Sequence, residues 1–525
     1  MVEPEGERYQ PNIVFIITDQ QRYDTIGALG FEHMETPHLD RLVHEGVAFE
    51  RCYITAPSCV PSRCSLFQGG YPHTTGVYKN GDDWAATWVS DLARAGYRCV
   101  NVGKMHTVPF TAPAGFHERY VVENKDRYLE GRYFFDEWDK ALRARGLVKQ
   151  QRELYRRRPD YRERMGAFTW DLDEDMHSDT FVGGFARWWL DSYPTNQPLF
   201  LQVGFPGPHP PYDPVPRWLD RYLAKELPIH EDGEDDLRAQ PGPMRALREH
   251  MLRVDHDSVV HLDQPTKQQR HYQRACYLAN VSMIDEQLGA IMDALARRGI
   301  LDDTVIVFAS DHGDSLGDHG QIQKWNMYEE TVRVPSMVWF GQEARRRLNE
   351  SVHGNHPRAA AESPPDGPLA PPGSRISRLV SLFDLGPTVL ELAGVEPPAD
   401  YESVSLLPLM RSAAPEAAAN SRNAAAAAAA PDLQAGGRRY VFAEHGRDNI
   451  LETTSVMTMV RDERWKLVTF AGTEEGQLFD LASDPEERVN LWTDSSARPE
   501  RDRLMQVLCQ WYRDSLYHTR ERRRR

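Results

Sequence analysis

The 525-residue sequence lacks a long apolar run, an excess of basic residues and a regular cysteine framework. Without an apolar segment of about 20 residues, it contains no candidate for a membrane-spanning helix. Its formal net charge of −16 argues against a general nucleic-acid-binding protein, which presents a basic face. The six cysteines are scattered, which favours reduced thiols over a disulfide scaffold. We therefore expect neither a membrane nor a nucleic acid as a partner.

The amino terminus also lacks a recognisable targeting segment. Residues 1–10 are acidic and polar, without the apolar core of a signal peptide. A strand-like apolar run begins almost at once, at Asn12. We therefore expect a cytoplasmic protein.

Four apolar runs of strand length end at residues that can bind ligands or transfer protons. Because the runs are continuous rather than alternating, they indicate strands buried on both faces, as in a parallel sheet between helices. In open α/β sheets, ligands bind beyond the carboxyl ends of the strands, so the residues that follow these runs are candidates for one site. The runs are 12–18 before Asp19 and Gln20, 97–102 before Lys104 and His106, 199–205 before His209, and 305–309 before Asp311 and His312.

Composition and turn chemistry divide the chain into segments. Stretches rich in proline, alanine and glycine offer little to pack and predict insertions or linkers. Near the carboxyl terminus, short strand-like runs joined by tight turns predict an antiparallel sheet covered by a helix. The predicted division is a large α/β domain over 11–410 with an insertion at about 355–374, a low-complexity linker or insertion over 411–437, a small α+β domain over 438–518, and a disordered basic tail over 519–525.

The most specific stretch is Cys-Val-Pro-Ser-Arg, from Cys59 to Arg63. Pro61 suits the first turn of a helix, where a missing N–H costs nothing, and Gly69 would end that helix. Cys59 would then lie at a helix N-terminus, where free N–H groups and the helix dipole favour an anion. These residues alone leave two interpretations open: a buried structural cysteine, or a reactive position in an anion-binding pocket.

Two carboxylates and an imidazole, from Asp19, Asp311 and His312, form a candidate metal site, to which Gln20 adds an amide oxygen. Oxygen ligands favour hard divalent cations, and imidazole widens the choice to manganese or zinc. Each aspartate taken alone is more often a turn or helix-cap residue than a metal ligand. Their combination with the cysteine segment favours a functional site.

The ordered set of motifs resembles the type I, formylglycine-dependent sulfatases of the alkaline-phosphatase superfamily. Cys-x-Pro-x-Arg is similar to the signature in which the cysteine is oxidised to formylglycine. The other matching segments follow in the family's order over residues 11 to about 491. They are the strand ending at Asp19, the helix start at Thr36-Pro37, Tyr71-Pro72-His73, Gly103-Lys104-Met105-His106, the segment Ser310-Asp311-His312-Gly313, and Arg464-Trp465-Lys466-Leu467.

The resemblance implies the fold, the cofactors and the maturation of this chain. The expected fold is a large, mostly parallel sheet sandwiched by helices, with a smaller carboxyl-terminal α+β domain. A formylglycine-generating enzyme would convert Cys59. One divalent ion, Ca²⁺ or Mn²⁺ with Mg²⁺ or Zn²⁺ as alternatives, would be held by the ligand set Asp19, Gln20, Cys59, Asp311 and His312.

The resemblance also implies a hydrolase of small-molecule or sugar sulfate esters. One hydroxyl of hydrated formylglycine would attack sulfur and form a covalent sulfo-enzyme, and His106 would then act as base on the second hydroxyl. Positive groups would stabilise the anion. The other implied roles are Arg63 and Lys104 holding the diol and the anion, Lys324 and His209 contacting the sulfate and protonating the leaving oxygen, and Asn80 and Thr107 as weaker candidates for substrate contact.

Two residues depart from the commonest sulfatase pattern. Gln20 stands where many members carry Asp, and His312 where many carry Asn. This pair resembles the sub-branch that includes phosphonate monoester hydrolases, choline sulfatases and some bacterial arylsulfatases, which makes manganese a candidate beside calcium for this chain. The sequence therefore leaves three functions open: a sulfatase, a phosphonate monoester or phosphodiester hydrolase with the same site, and a catalytically silent binding protein. It also leaves open whether the chain forms a homo-oligomer.

Overall fold

The computed structural model describes residues 9–123, 135–149, 152–192, 196–230, 233–350, 367–412, 433–434 and 437–522. Within these ranges, no helix combines the length and the apolar composition needed to cross a membrane.

A large, mostly parallel sheet forms the centre of the molecule. Its order is β10-β11-β9-β2-β8-β6-β1-β5-β3-β4, with β7 beside β2. The strands are β1 (Asn12–Asp19), β2 (Val47–Tyr53), β3 (Arg98–Gly103), β4 (Glu118–Val121), β5 (Leu199–Pro208), β6 (Thr304–Ser310), β7 (Arg333–Val334), β8 (Ser336–Phe340), β9 (Ser374–Ser381), β10 (Leu433–Gln434) and β11 (Gly437–Arg438).

The four apolar runs form four neighbouring parallel strands, β6, β1, β5 and β3. All residues of β1, β5 and β6 are buried, which explains why their sequences are continuously apolar. In the register, Thr18 pairs with Ser310, and Gly103 pairs with Gly204. The carboxyl ends of these strands therefore lie side by side, as the sequence predicts. The expected α/β fold is confirmed.

Among the strands that the sequence prediction misses are β8 and β4. β8 pairs antiparallel with both β6 and β2. β4 lies at the edge of the sheet and overlaps the stretch 119–165, whose charged and aromatic composition predicts helices and loops. Three of its four residues are partly exposed, so edge exposure removes the apolar signal.

Helices cover the large sheet, and the long helix α11 packs against β5 and the helices α1, α7 and α8. The helices are α1 (Pro37–Glu45), α2 (Cys59–Gln68), α3 (Pro72–Thr75), α4 (Val89–Arg94), α5 (Glu137–Ala144), α6 (Arg152–Arg156), α7 (Ser178–Ser192), α8 (Pro216–Leu223), α9 (Glu234–Ala239), α10 (Gly242–Arg253), α11 (Lys267–Arg297), α12 (Glu329–Val332), α13 (Gln342–Glu350), α14 (Leu385–Leu392), α15 (Leu407–Ser412) and α16 (Arg498–Arg522).

A separate antiparallel sheet follows near the carboxyl terminus, as predicted. Its strands, in order, are β12 (Val441–Gly446), β13 (Val456–Arg461), β14 (Trp465–Phe470) and β15 (Gly476–Asp480). Helix α16 packs on this sheet, and the Trp511 ring stacks on Phe442 with centroids 4.5 Å apart. This second core buries the inner face of the sheet.

Several predictions about connecting segments need correction or stay open. The acidic, histidine-rich and weakly periodic stretch 227–269 predicts a solvated loop, but it contains α9 and α10 and buries His250 and His261. Helix α16 continues through 519–522, where a disordered tail was expected, and residues 523–525 lie outside the described ranges. Most of the expected insertions at 355–374 and 411–437 also lie outside them, but Ser374 already belongs to β9. The domain boundaries stay predictions.

A buried ionic cluster joins the second sheet to the segment that follows β6. Lys466, on β14, donates to Glu329 Oε1 at 3.1 Å and pairs with Glu487. The backbone N–H of Glu329 donates to Glu487 Oε2 at 2.7 Å. Tyr53, on β2, donates to the second oxygen of Glu329 at 2.7 Å. The cluster therefore anchors the large sheet, the second sheet and the start of α12 to one another.

We predict that Lys466→Met destabilises the protein by about 3 kcal/mol or more, because it removes the buried cation that pairs with Glu487 and one of the cations beside Glu329. Arg464→Met is the control, since it removes an exposed cation paired with Asp480 and is expected to cost less than about 1 kcal/mol. Urea unfolding measures both changes. Equal losses for the two variants would contradict a structural role for this cluster.

Candidate active site

Cys59 is the first residue of α2, and the start of this helix is fixed by a side chain from outside it. Asn80 Oδ1 accepts hydrogen bonds from the Val60 N–H at 3.0 Å and from Ser58 Oγ at 2.9 Å. Gly69 ends the helix in the left-handed conformation, with φ of 68°. Asn80, a predicted substrate contact, thus caps the helix and positions Cys59.

The Cys59 side chain is buried among groups from three other segments. Its Sγ lies 3.1 Å from His312 Nε2, accepts from Lys324 Nζ at 3.1 Å, and lies 3.6 Å from Asp19 Oδ1. Burial raises the pKa of the Cys59 thiol to about 12, and Asp19 contributes in the same direction. The unmodified thiol is therefore protonated near neutral pH and is a poor nucleophile.

Two buried ion pairs surround the cysteine. Lys104 Nζ lies 2.5 Å from Asp19 Oδ2, and Arg63 Nε donates to Asp311 Oδ2 at 2.6 Å. Arg63 also donates from Nη1 to the Lys104 carbonyl at 3.1 Å. Burial alone would raise the pKa of Asp19, but Lys104 and the other cations nearby hold it well below its usual value. Asp19 is therefore ionised and available as a metal ligand.

Gln20 has a strained backbone and a fully engaged side chain. Its φ is 70°, and its N–H donates to Asp311 Oδ1 at 3.0 Å. The side-chain oxygen accepts from Lys324 Nζ at 2.9 Å, while Nε2 donates to Asp314 Oδ2 at 2.7 Å. Asp314 therefore fixes the orientation of the Gln20 amide, and the amide oxygen points at Lys324 Nζ.

The two histidines predicted for proton transfer are both neutral in this structure. Burial, and after it the positive charge of Lys104, hold the pKa of His106 well below its usual value. Burial and the positive charge of Lys324 lower the pKa of His209 to about 3. The backbone N–H of His209 donates to the Asp19 carbonyl at 3.1 Å. Its Nδ1 donates to the Pro210 carbonyl at 2.8 Å, so Nε2 carries the free lone pair.

His106 and Thr107 lie on the loop after β3. The His106 N–H donates to Glu123 Oε2 at 3.1 Å, and within the described residues its buried Nδ1 makes no hydrogen bond. Thr107 is buried and accepts a hydrogen bond from Arg119 at 3.1 Å. The structure therefore engages Thr107 in holding this loop together.

The residues present fit a divalent metal ion. One ligand atom from each of Asp19, Cys59, Asp311 and His312 lies within 4.8 Å of the others, and all four residues are buried. His312 Nδ1 donates to the Gly313 carbonyl at 3.0 Å, which leaves Nε2 free as a ligand. Carboxylate oxygens and one imidazole suit manganese, zinc or calcium.

Three further residues near the site have a weak signal in the sequence or none. Glu123 accepts from the His106 backbone, Asp314 orients Gln20, and Asp257 Oδ2 lies 3.7 Å from His209 Nε2. Asp314 follows the run 305–309, where a turn-forming or capping role explains it well, whereas Glu123 and Asp257 follow none of the four apolar runs. Their positions depend on loop conformations that the pattern of residue types does not predict.

The family model described as Sulfatase matches residues 11–395. The chain belongs to the sulfatase family. It is 27% identical to an arylsulfatase of Clostridium perfringens over 95% of this chain and 94% of that protein. It is also 27% identical to a choline-sulfatase of Rhizobium meliloti over 92% and 82%. A phosphonate monoester hydrolase from Silicibacter pomeroyi has the same fold, with a TM-score of 0.74, 24% identity and coverage of 97% and 96%.

We predict that this sulfatase, purified without conversion of Cys59, resists alkylation at that residue near neutral pH. The buried thiol has a pKa of about 12, whereas Cys509 is exposed. Peptide mass spectrometry after iodoacetamide treatment should find label on Cys509 and not on Cys59. Cys509→Ser is the control and should abolish rapid labelling. Equal labelling of Cys59 and Cys509 would contradict the assigned environment.

We predict that Asp19→Asn and Asp311→Asn lower the metal content of the purified sulfatase and abolish its thermal stabilisation by added Mn²⁺ or Ca²⁺. Saturating a site with ligand at 100 times its Kd stabilises the folded state by about 2.7 kcal/mol. Asp302→Asn is the control, because this exposed residue precedes β6 at the end away from the site. Elemental analysis and thermal unfolding measure both effects. Wild-type metal content in both site variants would exclude these ligands.

Proposed function

We propose that this chain hydrolyses sulfate esters of small molecules or sugars. The observation that carries the proposal is the position of Cys59, whose Sγ is 3.1 Å from Lys324 Nζ and from the metal-ligand candidate His312. The residue at this position thus meets a cation that can bind an anionic ester and a cluster that can hold a divalent ion. The relatives named arylsulfatase and choline-sulfatase support the same reaction class.

Cys59 is proposed to act after oxidation to formylglycine by a formylglycine-generating enzyme. The high pKa of the thiol argues against direct attack by sulfur. Hydrated formylglycine would supply an oxygen nucleophile and give a covalent sulfo-enzyme that opens by C–O cleavage. Asn80 contributes by holding the first turn of α2, so that the nucleophile does not move during attack.

The metal is proposed to be held by Asp19, Asp311 and His312 together with the modified residue 59. When bound, it would lower the pKa of an attached hydroxyl and polarise the ester. Lys324 adds a permanent positive charge, since it keeps a raised pKa in this environment despite its burial. Lys104 and Arg63 balance the two carboxylates and set their orientation.

Proton transfer is proposed to involve the two neutral histidines. His106 in its neutral form can accept a proton from the second hydroxyl of the diol. His209 presents Nε2, because its Nδ1 is committed to the Pro210 carbonyl. A bound sulfate ester places negative charge beside the His209 ring and favours its protonated form. Nε2 can then donate to the leaving oxygen.

Hydrolysis of phosphonate monoesters or phosphodiesters is the second candidate function. Sulfate monoesters, phosphonate monoesters and phosphodiesters each present one negative charge to the same cations. Gln20 and His312 favour this candidate, since this pair resembles the sub-branch that includes phosphonate monoester hydrolases. The phosphonate monoester hydrolase noted above supports only a shared fold, because its identity to this chain is below 25%.

We predict that the converted enzyme hydrolyses an aryl sulfate faster than an aryl phosphonate monoester with the same leaving group. Steady-state kcat/KM for the two substrates decides between the candidates. A phosphonate preference of several orders of magnitude would overturn the sulfatase assignment. Cys59→Ser is the matched variant: it should keep its metal but stall after one turnover, because a serine ester cannot release sulfate through an aldehyde. Normal turnover by Cys59→Ser would contradict the formylglycine mechanism.

A further inference from the structure

A third carboxylate, that of Asp257, faces the site beside its histidine and differs from the two metal-ligand carboxylates. Its Oδ2 lies 3.7 Å from His209 Nε2. The Asp257 side chain is 18% exposed, whereas Asp19 and Asp311 are 0% exposed. Asp19 and Asp311 are therefore not exposed to an incoming molecule. Asp257 reaches both solvent and the interior of the site.

The backbone around Asp257 is held in an unfavourable conformation. Asp257 and Ser258 have φ of 53° and 62°, in the left-handed region that side chains disfavour. Gly166 permits this conformation, since a Cβ there would lie 2.2 Å from the Ser258 carbonyl. The His256 carbonyl accepts from Gln323 at 2.9 Å. Such over-determined strain is typical of functional positions.

The residue before this turn is held by a histidine on a neighbouring helix. His256 Nε2 lies 2.7 Å from Nε2 of His250, on α10, and the two rings stack with centroids 5.0 Å apart. The turn is therefore attached to α10 on one side and to the segment carrying Lys324 on the other. The backbone on either side of Asp257 is consequently held by the fold.

We propose that Asp257 selects the leaving group by charge, favouring alcohols that are neutral or positively charged near the scissile bond. This inference rests on the proposed function, in which His209 Nε2 donates to the leaving oxygen. Since Asp257 lies 3.7 Å from that nitrogen, the first atoms of the leaving group must lie beside its carboxylate. A carboxylate or a second sulfate there meets like charge, and a hydroxyl or ammonium group meets an acceptor.

The charge of Asp257 also acts across the site. Burial alone would lower the pKa of Lys324, whereas negative charge on its neighbours, Asp257 among them, raises it. The same carboxylate that attracts this cation would repel an anion on the substrate. The cations hold the ester anion on one side, and Asp257 disfavours a second anion on the other.

The test compares three phenyl sulfates that carry a nitro, a trimethylammonium or a carboxylate substituent. Wild type and Asp257→Asn are assayed as converted enzymes, with equal formylglycine content checked by mass spectrometry. Relative to the nitro substrate, Asp257→Asn should raise kcat/KM for the carboxylate substrate and lower it for the ammonium substrate, each by roughly three- to tenfold. High salt should reduce both differences.

Asp255→Asn is the matched control. It removes an equally exposed carboxylate from the same turn, one that lies 3.8 Å from Arg162 rather than beside His209. We expect it to leave the order of the three substrates unchanged. Asp257→Gly is the second variant, because glycine adopts the left-handed conformation freely, and it should reproduce the shift of Asp257→Asn.

The outcomes separate this inference from the proposed function. An equal change for all three substrates in Asp257→Asn would make Asp257 a positioning residue only and would overturn charge selection. If wild type hydrolyses no aryl sulfate, the proposed function fails, and phenyl phosphonate monoesters with the same substituents test Asp257 instead. If neither series is hydrolysed, both proposals are overturned.

Discussion

The paired charges at the carboxyl ends of the central strands are the constraint on which the site depends. Lys104 with Asp19 and Arg63 with Asp311 place four charged groups where water does not reach. Loss of any one partner would leave an uncompensated buried charge, at a cost of about 3–5 kcal/mol. Because Lys104 and Arg63 pair with Asp19 and Asp311, the ammonium of Lys324 is directed at Gln20 and Cys59 instead. An acidic protein thereby presents a buried lysine to an anionic ester.

The same region holds several non-glycine residues in the left-handed conformation. Gln20, His106 and Asp257 have φ of 70°, 62° and 53°. Each costs of the order of 1 kcal/mol or more, so the contacts around them must over-determine the backbone. Gln20 is held by Asp311 and Asp314, and the His106 N–H is held by Glu123. The fold thus tolerates unfavourable backbone conformations at these residues, and their side chains are directed toward the candidate active site.

The sequence predicts the parts of the fold and site that depend on local pattern. Continuous apolar runs identify the central strands because burial on both faces leaves no polar positions, and each run marks the residue that follows it. Asp19, Lys104 and Asp311 are found in this way. β8 and Asp257 are not, for different reasons. β8 is a short antiparallel strand between two others, and Asp257 reaches His209 only through a left-handed turn that its residue type does not signal.

The second sheet contributes to the site through the segment that carries Lys324. This segment leaves β6 at Asp311 and ends at Glu329, where Lys466 and Glu487 hold it. One end of the segment therefore lies at the metal-ligand candidate Asp311, and the other end is held by the buried cluster that includes Lys466 of the second sheet. Lys324 lies between these two anchors, with Nζ 2.9 Å from Gln20 Oε1 and 3.1 Å from Cys59 Sγ. A lysine side chain is flexible, so its fixed position requires both its acceptors and a rigid backbone. The carboxyl-terminal sheet supplies part of that rigidity, although none of its own residues is among the metal-ligand candidates.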